Sequence, residues 1–343
     1  MISIRRATEQ LAHQQAELRR QVDSLRQRAG ELPDSDQRQQ ALASALRLER
    51  QLGSFWKARP GWIFLAGCAY VVGLIPAGIF WIGCLRSLDQ PVPVLTAMWA
   101  YFLGHLGKYI PGKAMVLVLR IGALHHLGVK KLATTLTIFM ETLTMMAVGG
   151  TVAAVCLLLL NHQWQWTVLA SGLFVATFLP TLPPVMRWTL KKLQKGVDRQ
   201  TLDQWLGKIN SALLLRGWGL LLLTWAGNGA SLYCVLRALP TAEFSDASQA
   251  TIWLSALGAC ALAVVLGFVS MLPAGAGVRE VVLTTVLAPI VGDTAALASA
   301  VWLRLTWLAA EFVAAGIVWC MRQWTIGRRV DYVSTQSASQ RYV

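Results

Sequence analysis

The sequence predicts an all-α, polytopic helical membrane protein carrying two interrupted segments in an inverted-type repeat, with a helical hairpin at its N-terminus. Three observations predict it. Of 343 residues, 55% are hydrophobic and only 14% are charged, and the mean hydropathy is +0.50; a soluble domain carries about 25% charged residues. Apolar runs long enough to cross a ~30 Å hydrocarbon core recur along the chain. Two of the apolar stretches are broken by proline, glycine and charge, at 104–120 and at 270–280.

Residues 1–60 contain no apolar core after the early arginines, so they do not read as a signal peptide. Leu11, Leu18, Val22 and Leu25 recur at heptad-like spacing, Gly30 and Pro33 stop that helix, and Asp34-Ser35-Asp36 caps a second one bearing Leu42, Leu46 and Leu52. The expectation is a cytoplasmic polar arm over 1–60, a hairpin or short coiled coil. It reads first as a solvated amphipathic appendage at the cytoplasmic face, and otherwise as a docking module for a protein partner or for self-association.

Spans are expected at 62–85, 132–160, 166–188, 217–236 and 296–321, with the interrupted segments at 91–124 and 248–290. Prolines at 180, 183 and 184 bend or end the third span, and 188–216 reads as a basic amphipathic connector. The membrane domain covers 61–325 and a basic cytoplasmic tail 326–343. Residues 1–60 hold 11 basic and 7 acidic residues, the connector 6 and 2, and 322–343 hold 4 and 1. Lys130-Lys131 add to the same bias, whereas 239–250 carries Glu243 and Asp246 and 291–295 carries Asp293. Positive charge marks the cytoplasmic side. Both termini are therefore expected there, with 91–124 crossing as a broken helix and 248–290 re-entering from outside.

The net charge of +14 follows from these loops, so no nucleic-acid partner is expected. Cys68, Cys84, Cys156, Cys234, Cys260 and Cys320 lie in or beside apolar runs without a C-x-x-C pair, which leaves no disulfide or metal reading.

The breaks carry the candidate site. Proline removes an amide donor and pushes Ile110 out of helical geometry, and broken backbone at membrane depth survives only where protein or water covers it. A helix restarting after Pro111-Gly112, and another after Pro273, Gly275 and Gly277, would offer free amides and a positive dipole end to an anion. Lys108, Tyr109, Lys113 and Arg120 surround the first break and Arg279 follows the second. Together these ten residues are the expected lipid-headgroup ligands. Glu141, Glu280, Arg304 and Glu311 are expected to gate the site or couple it to protons, with Arg279/Glu280 or Arg304/Glu311 as candidate ion pairs. No catalytic residue, metal ligand or cofactor is expected. An enzyme that modifies lipids, as a glycosyl- or aminoacyl-transferase component, is the first alternative. A scaffold acting through 1–60 is the second.

Lys108-Tyr-Ile-Pro-Gly-Lys113 with Arg120, then Pro273-Ala-Gly-Ala-Gly-Val-Arg-Glu280, then Arg304 and Glu311, resemble the lysylphosphatidylglycerol synthase transmembrane family. These are flippase-like membrane domains related to the multiple peptide resistance factor, and the resemblance covers about 62–325. It implies a multi-pass protein of the bacterial inner membrane that moves phospholipids or polyprenyl-phosphate-linked glycolipids. The chain departs from the pattern at Ala274, where glycine is common, and at Thr142, where arginine is common. A polar arm stands where the family has a further span, and no synthase domain follows, so lysyl transfer is not implied.

Overall fold

The computed structural model describes residues 16, 20–31, 36–40, 42, 57–110, 114–160, 164–193, 199–240, 242, 244 and 247–339. Within 1–56, residues 20–31 and 36–40 are helical; the remainder of the expected hairpin lies outside the described residues. From Lys57 onward the described chain is helical, without a strand: α1 (Pro60–Ser87), α2 (Val94–Leu106), α3 (Ala114–His125), α4 (Lys131–Leu160), α5 (Trp164–Phe178), α6 (Pro183–Leu193), α7 (Arg199–Gly207), α8 (Ser211–Ala238), α9 (Gln249–Val269), α10 (Val278–Val291) and α11 (Asp293–Ser339). Short 3₁₀ turns sit at Gly107–Tyr109, Leu179–Thr181 and Pro273–Gly275.

Local sequence explains the starts. Pro60 opens α1 at a position whose amide has no helical partner anyway. Asn210 caps α8 by accepting from Leu213 N at 2.8 Å, and Ser248 caps α9 by accepting from Thr251 N at 3.1 Å. Five helices are long and apolar enough to cross a membrane: α1, α4, α8, α9 and α11 as far as Thr325. Their outward side chains are apolar too; Phe64 and Leu215 are each 75% exposed. Such a surface suits lipid and not water.

The bundle has two ends. Arg59 N donates to Ala238 O at 3.0 Å, and Leu239 packs with Leu297, Ala298 and Ala58, so the start of α1, the end of α8 and the start of α11 lie together. At the opposite end Lys208 pairs with Asp89, Lys130 N donates to Gln90 Oε1 at 3.0 Å, and Arg187 Nη2 donates to Ile209 O at 2.5 Å. Helices α1, α4, α8 and α11 run between these ends. Helices α5 and α6, bent at Leu179–Thr181, make a fifth passage: Thr177 lies against Gly150 of α4, and Arg187 reaches the Asp89 end.

The interrupted segments turn back on themselves. A Cβ on Gly104 of α2 would lie 2.6 Å from Arg120 Cγ of α3, and one on Gly107 would lie 2.9 Å from Val116 N. Hence 94–125 is a hairpin standing on the Asp89 end, which corrects the expected broken crossing. Its halves have 13 and 12 residues, about 20 Å each and too short to span. Glycine at 104 and 107 lets them close. Helices α9 and α10 form the second hairpin, standing on the Arg59 end, where a Cβ on Gly267 would lie 2.8 Å from Arg279 Cγ.

Folding 94–125 back also changes the parity. Arg59 and Arg322 lie at opposite ends, because Arg322 Nη2 sits 3.3 Å from His126 Nε2 and its guanidinium 5.0 Å over Trp99. The expectation that the arm's attachment point and the tail share one side is thus corrected.

Tight crossings hold this frame. Gly73 of α1 meets Gly227 of α8 with no side chain between them; a Cβ on Gly227 would lie 2.5 Å from Gly73 Cα. Trp225 fills the space over Gly149 of α4 and donates from Nε1 to Met145 O at 3.1 Å.

Candidate functional site

The two hairpin turns meet in the middle of the bundle against α1 and α11. Lys108, in the first turn, sends its ammonium to Glu311 of α11 and, at 3.2 Å, to the hydroxyl of Tyr70 of α1. Tyr70 donates that hydroxyl to the same carboxylate oxygen, Glu311 Oε1. Its ring stacks on Trp307, with centroids 4.4 Å apart and planes 8° from parallel. The Lys108 ammonium lies 5.1 Å from the Tyr109 ring, 5.8 Å from Tyr70 and 6.0 Å from Trp307. Aromatic faces and a carboxylate thus replace the water that this cation gives up.

The second turn contributes the other half. Its path needs left-handed backbone: φ is 66° at Gly275 and 84° at Gly277, where glycine is free of strain, and 50° at Ala274, where a Cβ costs about 1–2 kcal/mol. Arg304 of α11 reaches into it, donating from Nη2 to Glu280 Oε2 at 3.0 Å and to Gly275 O at 3.2 Å; its Nε lies 2.5 Å from Glu280 Oε1. Glu280 Oε2 also accepts from Gly277 N at 2.8 Å. The amide that sequence reasoning left free at the start of α10 is therefore taken by the helix's own glutamate.

Both expected pairings are replaced. Glu280 pairs with Arg304 rather than Arg279, and Glu311 with Lys108 rather than Arg304. Arg279 is left over. Its side chain runs along the bare backbones of Gly267 and Gly275, its Nε is buried without a hydrogen-bond partner, and no carboxylate among the described residues pairs with it. Among those residues the junction holds Lys108, Arg279 and Arg304 against Glu280 and Glu311, one positive charge in excess.

Arg120 and Glu141 do not join this junction. Arg120 is 2% exposed, with its guanidinium 4.7 Å from the Trp81 ring and 4.4 Å from Tyr101, and its Nη1 3.0 Å from Glu141 Oε2. That cluster fastens α3 to α4. Pro111, Gly112 and Lys113 lie outside the described residues, and Pro273 is described only as the start of its 3₁₀ turn. No group of three or more His, Cys, Asp or Glu able to hold a metal occurs among the described residues.

Sequence reasoning missed Tyr70 and Trp307. The available signal was a phenol in the middle of an otherwise apolar span, which needs a partner for its hydroxyl.

The stretch that carries these elements is matched by a family description. The model for the lysylphosphatidylglycerol synthase TM region matches residues 43–315. The chain belongs to that family. No curated protein matches the chain. The matched range takes in both hairpins, all five junction charges and the Arg120–Glu141 cluster, so the family assignment and the site rest on the same stretch. It identifies a membrane domain related to lipid handling.

Proposed function

We propose that this chain binds an anionic lipid headgroup between the two hairpin turns and moves the lipid across the bilayer. The observation that carries the reading is Arg279, a half-buried guanidinium beside two acids that are both committed to other cations. A phosphate is the ligand such a group suits, through charge-assisted bonds. The excess positive charge at the junction favours it further. Apolar side chains flank the turns and face outward, Ile110 at 42% exposure and Met271 at 70%. Acyl chains can therefore stay in lipid while the headgroup enters.

The Asp89 end, with Lys130, Lys131, Arg187, Lys191, Lys208 and Arg322, is the more basic and is read as cytoplasmic. The first hairpin then enters from the cytoplasm and the second from outside, as inverted repeats do in transporters. In a cysteine-free background, Gln204→Cys is expected to react with an impermeant maleimide only from the cytoplasmic side, and Ala250→Cys only from outside. The reverse pattern would turn the assignment over.

The test of the site is Arg279→Gln in proteoliposomes containing an anionic phospholipid. A bond to a charged group contributes about 1.5–3 kcal/mol, so lipid movement should fall by roughly ten- to a hundredfold. Thermal stability in detergent should hold, since no partner is stranded. Unchanged lipid movement would remove Arg279 from the site and the proposal with it.

A further inference from the structure

Among the described residues, Glu141, Glu280 and Glu311 are the buried carboxylates, and their pairings are not alike. Glu141 accepts from Arg120 Nη1 on Oε2 at 3.0 Å and from the Tyr101 hydroxyl on Oε1 at 3.4 Å. Glu280 faces Arg304 with both oxygens and takes the Gly277 amide besides. Each of these two is held by a guanidinium, a group that keeps its charge in any protein environment. Glu311 is held by a lysine, which can give a proton up. Both its donors, the Lys108 ammonium and the Tyr70 hydroxyl, crowd onto Oε1, and Oε2 is buried without a hydrogen-bond partner among the described residues. Half of this carboxylate's charge is thus left without a donor. The Glu311 side chain is 0% exposed, whereas that of Lys108 is 24% exposed.

Every neighbouring element contributes to the surroundings of this pair. Helix α1 brings Tyr70, the first turn brings Lys108 and Tyr109, and the end of α2 brings His105, whose Nδ1 donates to Tyr101 O at 3.2 Å. Arg279 and Glu280 come from the start of α10, and Arg304 stands two turns earlier on α11 itself. The charges of Arg279 and Arg304 both lie within electrostatic reach of Lys108. Helix α8 meets α11 at Ser231, which is neutral and accepts from Trp307 Nε1 at 3.0 Å.

We propose that Glu311 takes up a proton when an anionic headgroup occupies the junction, so that headgroup and proton bind together; this rests on the anionic-lipid reading. An anion at Arg279 adds negative charge within reach of Lys108 and the carboxylate it holds, and a carboxylate beside a new like charge gains a proton more readily. Glu280 feels the same anion but keeps its guanidinium and its amide. The proton has a path already in place. The Lys108 Nζ–H bond breaks, a Glu311 O–H bond forms, and the amine is recharged by a proton from water at the exposed side of the turn. Linkage is reciprocal, so a protonated Glu311 holds the anion more tightly. One monoanionic headgroup with one proton leaves the junction at the charge it has when empty. Loaded and empty forms then meet the same electrostatic cost of reorientation.

The test uses the full chain in a neutral detergent, titrated in a calorimeter with dihexanoylphosphatidylglycerol, a short-chain lipid whose phosphodiester carries a single charge. Buffers of different ionisation enthalpy make the binding heat a count of protons, and about one per lipid should be taken up. Affinity should accordingly weaken by up to about tenfold for each unit that the pH rises. Glu311→Gln, which has the shape of the neutral acid, should bind the lipid with no proton uptake and no such pH dependence. Lys108→Arg decides the matter if that variant does not fold: a permanent guanidinium holds Glu311 ionised, and uptake should fall well below one. Lipid binding without proton uptake in the parent, or uptake undiminished in either variant, would overturn the proposal and leave the lipid reading standing. A parent that does not bind the lipid at all would overturn both.

Discussion

Replacing Glu311 with leucine should cost the protein most of its folded yield, and replacing Lys108 with methionine as well should restore much of it, short of what the Tyr70 hydroxyl loses. Glu311 is fully buried and takes both the Lys108 ammonium and the Tyr70 hydroxyl. Without it a cation and a phenol lose their acceptor together. Breaking a buried pair from one side costs roughly 3–5 kcal/mol, whereas replacing both partners with apolar groups of similar volume is often neutral. The midpoint in detergent should therefore fall steeply in the single variant and recover in Lys108→Met with Glu311→Leu. Lipid movement should stay lost in the double variant, because the first turn no longer presents a charge to the junction. A double variant as unstable as the single would show that the pair is not what holds this turn in place.

A second large effect is expected where α1 crosses α8. A side chain at Gly227 has nowhere to go: the atoms in its way are Gly73 Cα at 2.5 Å and Ala69 O at 3.0 Å, all backbone. Gly227→Val should give no folded protein, since two helices would have to move apart along their whole contact. Gly219 and Gly83, on the same two helices, have nothing within 4 Å of an added Cβ. Alanine there should raise stability by about 0.5–1 kcal/mol through helix propensity. Expression and midpoint of the three variants side by side check the argument. A well-folded Gly227→Val protein would mean that the crossing is looser than its geometry.

Much of the architecture was legible because bilayers impose long apolar runs, and a proline-glycine pair in such a run must end a helix. The charged residues that meet at the junction were legible as a list, since charge in an apolar segment is conspicuous; Tyr70 and Trp307 were not. Nor were the partners of those charges. Arg304 and Glu311 are seven apart on one helix and suggest each other, yet each pairs across the hairpin turns, Glu311 with a lysine 203 positions away. A break tells where a helix stops and not where the chain goes next. The path of 94–125 is set by Gly104 and Gly107 admitting Arg120 and Val116, a contact that leaves no periodicity to read. The basic arm entered the expectation that Arg59 and Arg322 share an end for a related reason. Its charges entered the balance with those of the short loops, whose bias is the one that records topology.

Glu280 serves two masters, the Arg304 guanidinium and the Gly277 amide, and this has a kinetic meaning. An anion that reaches the start of α10 finds the amide already occupied by a carboxylate tethered three residues away. Such a competitor acts at the high local concentration that a short tether imposes. It cannot be diluted, and it is ready to reclaim the amide whenever the visitor loosens. Residence of any anion at that amide is therefore short from the outset, and a stop for a passing headgroup gains more from rapid departure than from tenacity.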